Sequence, residues 1–172
     1  MYGGLTMDGQ GIDRKTVNGE VRRRIEALIV DYAHAIDDDR VEEWPEFFAE
    51  PCSYRIIDRH AFAKGRVVGV MECSSKGMMQ DRVLALREAN VYEPHVYRHL
   101  LSGTRIVGEE GGVYAVETSY TVIRTMQEGD AAIFSTGKYV DRIVLDNGAA
   151  KFRSRVVVCD SNRIDTLIVI PI

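Results

Sequence analysis

The stretch AAIFSTGKYVDRIVLDNGAAKFRSRVVVC, residues 131–159, decides the fold. It consists of two runs rich in Val, Ile, Tyr and Thr joined by Asn147-Gly148. Asn-Gly between two such runs is the strongest short-range hairpin signal, because both central residues of the tight turn take positive φ. Residues 95–107 and 113–126 have the same character and are set off by Glu110-Gly111-Gly112 and Glu128-Gly129-Asp130. Four strand-like runs in succession predict an antiparallel meander.

Upstream of the meander the period changes. Val21, Ile25, Leu28, Ile29, Tyr32 and Ile36 step by three and four, which predicts a helix over 17–36 with one apolar stripe. Asp37-Asp38-Asp39 breaks it and reads as a solvated helix end, with Asp39 able to cap a second short helix over 40–49 that carries Val41, Trp44, Phe47 and Phe48. Pro51 is expected to end that helix. Residues 52–58 and 66–70 read as short strands. A third helix is expected over 75–89, with Met78, Met79, Val83, Leu86 and Ala89 inward and Ser74 or Ser75 as cap. The chain holds 20 Val and 14 Ile against 8 Leu, a bias that favours strands. The expected class is α+β: three N-terminal helices packed into a curved, mostly antiparallel sheet, a cone-shaped half-barrel. Residues 1–15, punctuated by glycines, are expected to be a flexible tail, and 16–172 a single domain.

Composition limits what such a cone does. The 172 residues, 45% hydrophobic and 28% charged with net charge −4, are those of an ordinary globular chain. The acidic balance offers no field for phosphates, so no nucleic-acid partner is expected. No apolar run reaches the ~18 residues that cross a bilayer. The opening residues lack the basic start and apolar core of a secretory signal, so a cytoplasmic location is expected. Cys52, Cys73 and Cys159 show no paired spacing and read as buried thiols.

Chemistry-bearing residues are sparse. In an extended chain His95 and His99 share a face but lie ~13 Å apart at ~3.3 Å per residue, too far for one zinc ion. No Cys has a His two positions away, as a Rieske cluster requires, and only four histidines exist for a mononuclear iron site, so no metal ligands are expected in this chain. Tyr32 on the inner stripe and Asp58 or Tyr54 on the next strand could serve as proton donor and base at the mouth of the cone, or could simply pack.

Read in order, Asp37-Asp38-Asp39-Arg40 with Trp44 and Phe47-Phe48, Asp81-Arg82 with Leu86-Arg87 and Ala89-Asn90, Arg98-His99, Gly137-Lys138-Tyr139, Val158-Cys159-Asp160-Ser161 and Asp165-Thr166-Leu167 resemble the beta (small) subunit of aromatic-ring-hydroxylating Rieske dioxygenases. The ending of the chain is most similar to subunits acting with oxygenases of ring carboxylates such as salicylate, anthranilate or terephthalate. The resemblance implies a nuclear-transport-factor-two-like (cystatin-like) cone and a mainly structural, noncatalytic role. It also implies an alpha subunit that carries the Rieske iron-sulfur cluster and the mononuclear iron, in a complex of three alpha and three beta chains with the beta chains as a homotrimer. The same superfamily contains stand-alone isomerases and dehydratases, to whose helix-one tyrosine Tyr32 corresponds. Their strand carboxylate falls on Ile56 here, with Asp58 two residues later. A stand-alone enzyme or a small-ligand-binding protein is the alternative expectation.

Residues 167–172 are almost wholly apolar and need cover, either in their own fold or against another chain. Leu167, Ile168 and Ile170, with Arg98, His99, Arg153, Arg155 and Asp160, are the expected interface residues, the charged ones being equally able to form intrachain pairs.

Overall fold

The computed structural model describes residues 17–88, 92–161, 168 and 170–172. The expected tail over 1–15, the Ala89-Asn90 pair and the Asp165-Thr166-Leu167 triplet lie outside the described residues.

The first helix, α1 (Gly19–Asp37), is capped by the Asn18 side chain, which accepts from the Glu20 amide at 2.8 Å. Its predicted stripe is inward: Ile25, Leu28, Ile29, Tyr32 and Ile36 are buried, each worth about 1.5–3 kcal/mol against exposure. The expected second helix is instead a 3₁₀ turn, Val41–Phe47, with Pro45 inside it. Asp39 does not cap this turn; it takes a left-handed φ of 58° and its carboxylate binds Arg87 at 2.9 Å. Phe48 already belongs to strand β1 (Phe48–Asp58), so Pro51 sits inside a strand rather than at a helix end.

Residues 59–63 form a short helix, α2 (Arg59–Ala63), which the sequence reading missed; its N-cap is Asp58, whose Oδ1 accepts from the Ala61 amide at 2.8 Å. Five residues are too few to show a period. The expected strand over 66–70 is not one. Strand β2 (Met71–Cys73) follows it, and Val67, Val68 and Val70 stand exposed. Helix α3 (Lys76–Glu88) buries Met79 and Leu86, with the Ser75 hydroxyl accepting from the Met78 amide at 3.3 Å. Met78 is exposed rather than inward, its sulfur accepting from the amide and hydroxyl of Ser74.

The meander is present as strands β3 (His95–Glu110), β4 (Val113–Met126), β5 (Ala131–Asp146) and β6 (Ala149–Cys159). At the deciding turn Asn147 and Gly148 both take positive φ, 49° and 83°. The sheet order is β2-β1-β6-β5-β4-β3, with every neighbouring pair antiparallel except β1 and β6. That parallel pairing carries the chain's first strand into the middle of the sheet and brings Tyr54 opposite Arg155. At Gly137 the backbone of β6 leaves no room for a side chain: a Cβ there would meet the Val158 carbonyl oxygen at 2.0 Å. Helices α1 and α3 cover the inner face of the curved sheet, and residues from α1, the 3₁₀ turn, α3 and all six strands share one apolar core. Helix α2 packs Ala61 against Ile57 and Val158 in a separate, smaller cluster.

Candidate functional site: the interior of the cone

The inward register of the sheet is not purely apolar. Tyr139, Asp141 and Ile143 of β5 face in, opposite Val157, Arg155 and Phe152 of β6. A carboxylate and a guanidinium are thereby placed side by side with no exposure. Arg155 Nε donates to Asp141 Oδ1 at 2.9 Å and Nη2 to Oδ2 at 2.8 Å, the fork geometry that makes Arg–carboxylate pairs strong. The rings of Tyr32, Tyr139 and Phe152 lie 4.0–4.2 Å from the guanidinium carbon and supply cation–π contacts. Burial works against the charge on Arg155, but Asp141 outweighs it and holds the guanidinium above its ordinary value. Burial in turn pushes the Asp141 carboxyl up, with Arg155 opposing.

Around this pair the space between α1 and the sheet is packed with Tyr32, Trp44, Phe48, Tyr54 and Phe152, all fully buried. Trp44 meets Tyr54 edge-on at 5.1 Å, and Tyr139 stacks on Tyr120 at 4.6 Å. The end of the sequence enters the same space. Ile168, Ile170 and Ile172 are buried in this core. The main-chain oxygen of Ile172 accepts from Tyr54 Oη at 2.8 Å and from Tyr32 Oη at 3.3 Å, and its amide donates to Tyr54 Oη at 3.0 Å. Burial raises the hydroxyl pKa of Tyr32, Tyr54 and Tyr139, leaving all three protonated at neutral pH.

Each residue singled out in the sequence has a definite place. Tyr32 is on the inner stripe, bonded to Ile172. Asp58 caps α2, and no hydrogen bond joins it to Tyr32. Asp37 is not solvated: its carboxylate accepts from the His99 amide at 2.8 Å and from His99 Nδ1 at 2.5 Å, which anchors α1 to the edge strand β3. His95 Nδ1 donates to the Glu93 carbonyl at 2.8 Å instead of sharing a ligand with His99. A shallow cleft of about 280 Å³ lies beside these groups, lined by Asp37, Asp39, Tyr92, His95 and Tyr97. Arg98 is exposed, 3.7 Å from Asp37. Arg153 is exposed, and Asp160 pairs with Arg59 at 2.7 Å. Arg155, Ile168 and Ile170 are buried within the chain, and Leu167 lies outside the described residues.

Asp141 and Ile172 were missed by the sequence reading. The signal for Asp141 was available: it falls on the same strand face as Tyr139 and Ile143, where an unpaired charge would be costly, so a partner on a neighbouring strand is required. Among the described residues no three His, Cys, Asp or Glu side chains are grouped to hold a metal ion. Among the described residues the buried donors do not converge on an iron centre: Asp141 is committed to Arg155 and Asp37 to His99, and the buried thiols Cys52, Cys73 and Cys159 are not grouped with them into a ligand set.

A curved six-stranded sheet holding helices against its inner face, with its interior taken up by aromatic rings and a buried ion pair, defines a member of the nuclear-transport-factor-two-like cone class. Within that class the chain belongs to the ring hydroxylating beta subunit family, whose description matches residues 32–166. It is 38% identical over 141 residues to the small subunit of anthranilate 1,2-dioxygenase from Burkholderia cepacia, covering 82% of this chain and 88% of that one. It is 36% identical over 149 residues to beta subunit 1 of the terminal oxygenase component of terephthalate 1,2-dioxygenase from Comamonas sp., covering 87% and 97%. Among solved structures, a beta subunit assigned to an aromatic-ring-hydroxylating dioxygenase of Novosphingobium aromaticivorans is 39% identical and superposes with a TM-score of 0.80, covering 88% of this chain and 97% of that one.

Proposed function

We propose that this beta chain is a noncatalytic assembly subunit, and that the Rieske cluster and the mononuclear iron reside in an alpha subunit to which it binds. The complex holds three alpha and three beta chains, the beta chains forming a homotrimer in the cytoplasm. It hydroxylates a ring carboxylate of the anthranilate or terephthalate kind, the acids named for the relatives at 38% and 36% identity. The observation that carries this reading is the occupation of the cone: Tyr32 and Tyr54 are bonded to Ile172, Arg155 is bonded to Asp141, and the Tyr139 ring is packed against Arg155 and Tyr120. Arg98, Arg153 and Asp160 present the exposed polar part of the contacts between subunits. His99, Arg155, Ile168 and Ile170 act from beneath, fixing the shape of that surface.

The test is co-expression with the alpha subunit of such an oxygenase. A complex with a Rieske visible spectrum and a turnover that needs the beta chain is expected. Turnover of an aromatic acid by the beta chain with no other protein present would contradict the proposal.

A further inference from the structure

Two exposed apolar patches lie at opposite edges of the sheet, and they are not alike. The first is the segment over 64–70, which runs outside β1: Arg55 Nη1 donates to the Val67 carbonyl at 2.6 Å and the Val70 amide to the Ile56 carbonyl at 2.8 Å. Val67, Val68 and Val70 are 67%, 80% and 55% exposed, and the segment's charges, Lys64 and Arg66, are both basic and exposed. The second is the outer face at the β3 edge. Register places Arg98 of β3 opposite Ile123 of β4, and Ile123 opposite Ile133 of β5. Val96 and Leu100 flank Arg98 on the same face, and Val96, Leu100 and Ile133 are 59%, 53% and 69% exposed. The hairpin turn that adjoins Ile133 is acidic, with Glu128 and Asp130 exposed. Lys64, Arg66, Glu128 and Asp130 have no ion-pair partner among the described residues.

Apolar surface of this kind, rimmed by charge, marks an association site. A contact built from one self-complementary patch gives a two-fold dimer, whereas two different patches meeting head to tail give a ring when the rotation between copies closes and an open filament when it does not. The patches here differ in place and in the sign of their rims: a valine segment with a basic rim on one side, and on the other a face of valine, leucine, isoleucine and Arg98 with an acidic rim at Glu128 and Asp130. We infer that a second copy of this chain docks its 64–70 segment onto the outer β3–β5 face of the first, with Lys64 and Arg66 against Glu128 and Asp130. This deepens the assembly reading above, on which it rests, by naming the surfaces through which the beta chains meet.

The full chain, purified by itself, is followed by sedimentation velocity across a concentration series. Lys64→Glu with Arg66→Glu, or Glu128→Lys with Asp130→Lys, is expected to weaken association about tenfold or more, and the four substitutions combined in one chain to restore it. Val68→Asp and Ile133→Asp are expected to abolish it. All these positions are exposed, so an unchanged circular dichroism spectrum and melting temperature verify the fold of each variant. Association unaffected by the charge reversals, or a wild-type chain that stays monomeric, would overturn the inference. Capture of the iron-bearing alpha subunit is measured on the same variants. Reversals that cost alpha capture while leaving copy-to-copy association intact also overturn it, by giving the patches to the alpha chain. Retained capture together with charge-insensitive association removes the surface assignment and leaves the assembly reading standing. Failure of the wild-type chain to capture an alpha subunit removes the assembly reading instead.

Discussion

Asp141 and Arg155 stand directly opposite each other on adjacent antiparallel strands, joined by two hydrogen bonds of 2.9 and 2.8 Å and wholly shielded from water. Removing one member leaves the other charge buried without a partner, which costs about 3–5 kcal/mol in comparable sites. Against a total stability of about 5–15 kcal/mol, Asp141→Asn or Arg155→Met alone is expected to leave the chain marginally folded. The double replacement Asp141→Leu with Arg155→Met removes both charges and is expected to recover most of the loss. Urea midpoints decide; single variants within about 1 kcal/mol of wild type would show that the pair contributes little.

Tyr54 and Tyr32 differ in what they hold. Tyr54→Phe loses one bond donated to Ile172 and one accepted from it, and is expected to cost about 1–3 kcal/mol; Tyr32→Phe loses a single 3.3 Å bond and is expected to cost about half as much. Turnover by the assembled oxygenase is expected to be unchanged in both, and in Asp58→Asn, which removes the charge but keeps an oxygen that caps α2. A loss of kcat with unchanged urea stability in any of the three would give that residue a chemical role.

The three thiols are buried, and burial raises the pKa of Cys52, Cys73 and Cys159. Thiolate is the reactive form, so none is expected to react with an aromatic disulfide reagent within minutes in the native chain, and all three to react in denaturant. A fast-reacting native thiol would mean that one of these positions opens.

Glu117 accepts from Arg105 at 2.6 Å and from Lys138 at 2.9 Å, and the hydrogen bond from Arg105 in particular lowers its pKa below the ordinary 4.5. A carboxyl whose folded pKa is depressed stabilises fully above its unfolded value and loses that contribution as pH falls through the folded one. Because Arg105 is largely exposed the effect is small, about 0–1 kcal/mol. Glu117→Gln is therefore expected to lower the melting temperature slightly at pH 7 and by less at pH 3, below the unfolded value. Equal effects at both pH values would assign the loss to packing.

The strands and α1 are legible in the sequence because their periods are long and their turns chemically marked: Asn147-Gly148 takes the two positive φ values its residue types favour. The second helix was misread because Val41, Trp44 and Phe48 are inward, as a helix would also place them, while Pro45 and the left-handed Asp39 tighten the chain into a 3₁₀ turn. The segment over 66–70 has strand composition without strand pairing: its valines stand exposed and Gly69 lies against the Ile56 carbonyl. The burial of Asp37 depends on His99, sixty-two positions away, and no local pattern announces such a contact. What one sequence carries least of is partner identity at long range, and Asp141, Arg155 and Ile172 are cases of it.

The most direct test of the account is iron analysis with a visible spectrum on the alpha and beta chains of the assembled oxygenase after they are separated. The account predicts that the red-brown absorbance and all the iron travel with the alpha chain, and that the beta chain is colourless yet restores turnover when added back. Stoichiometric iron retained by the beta chain would contradict it.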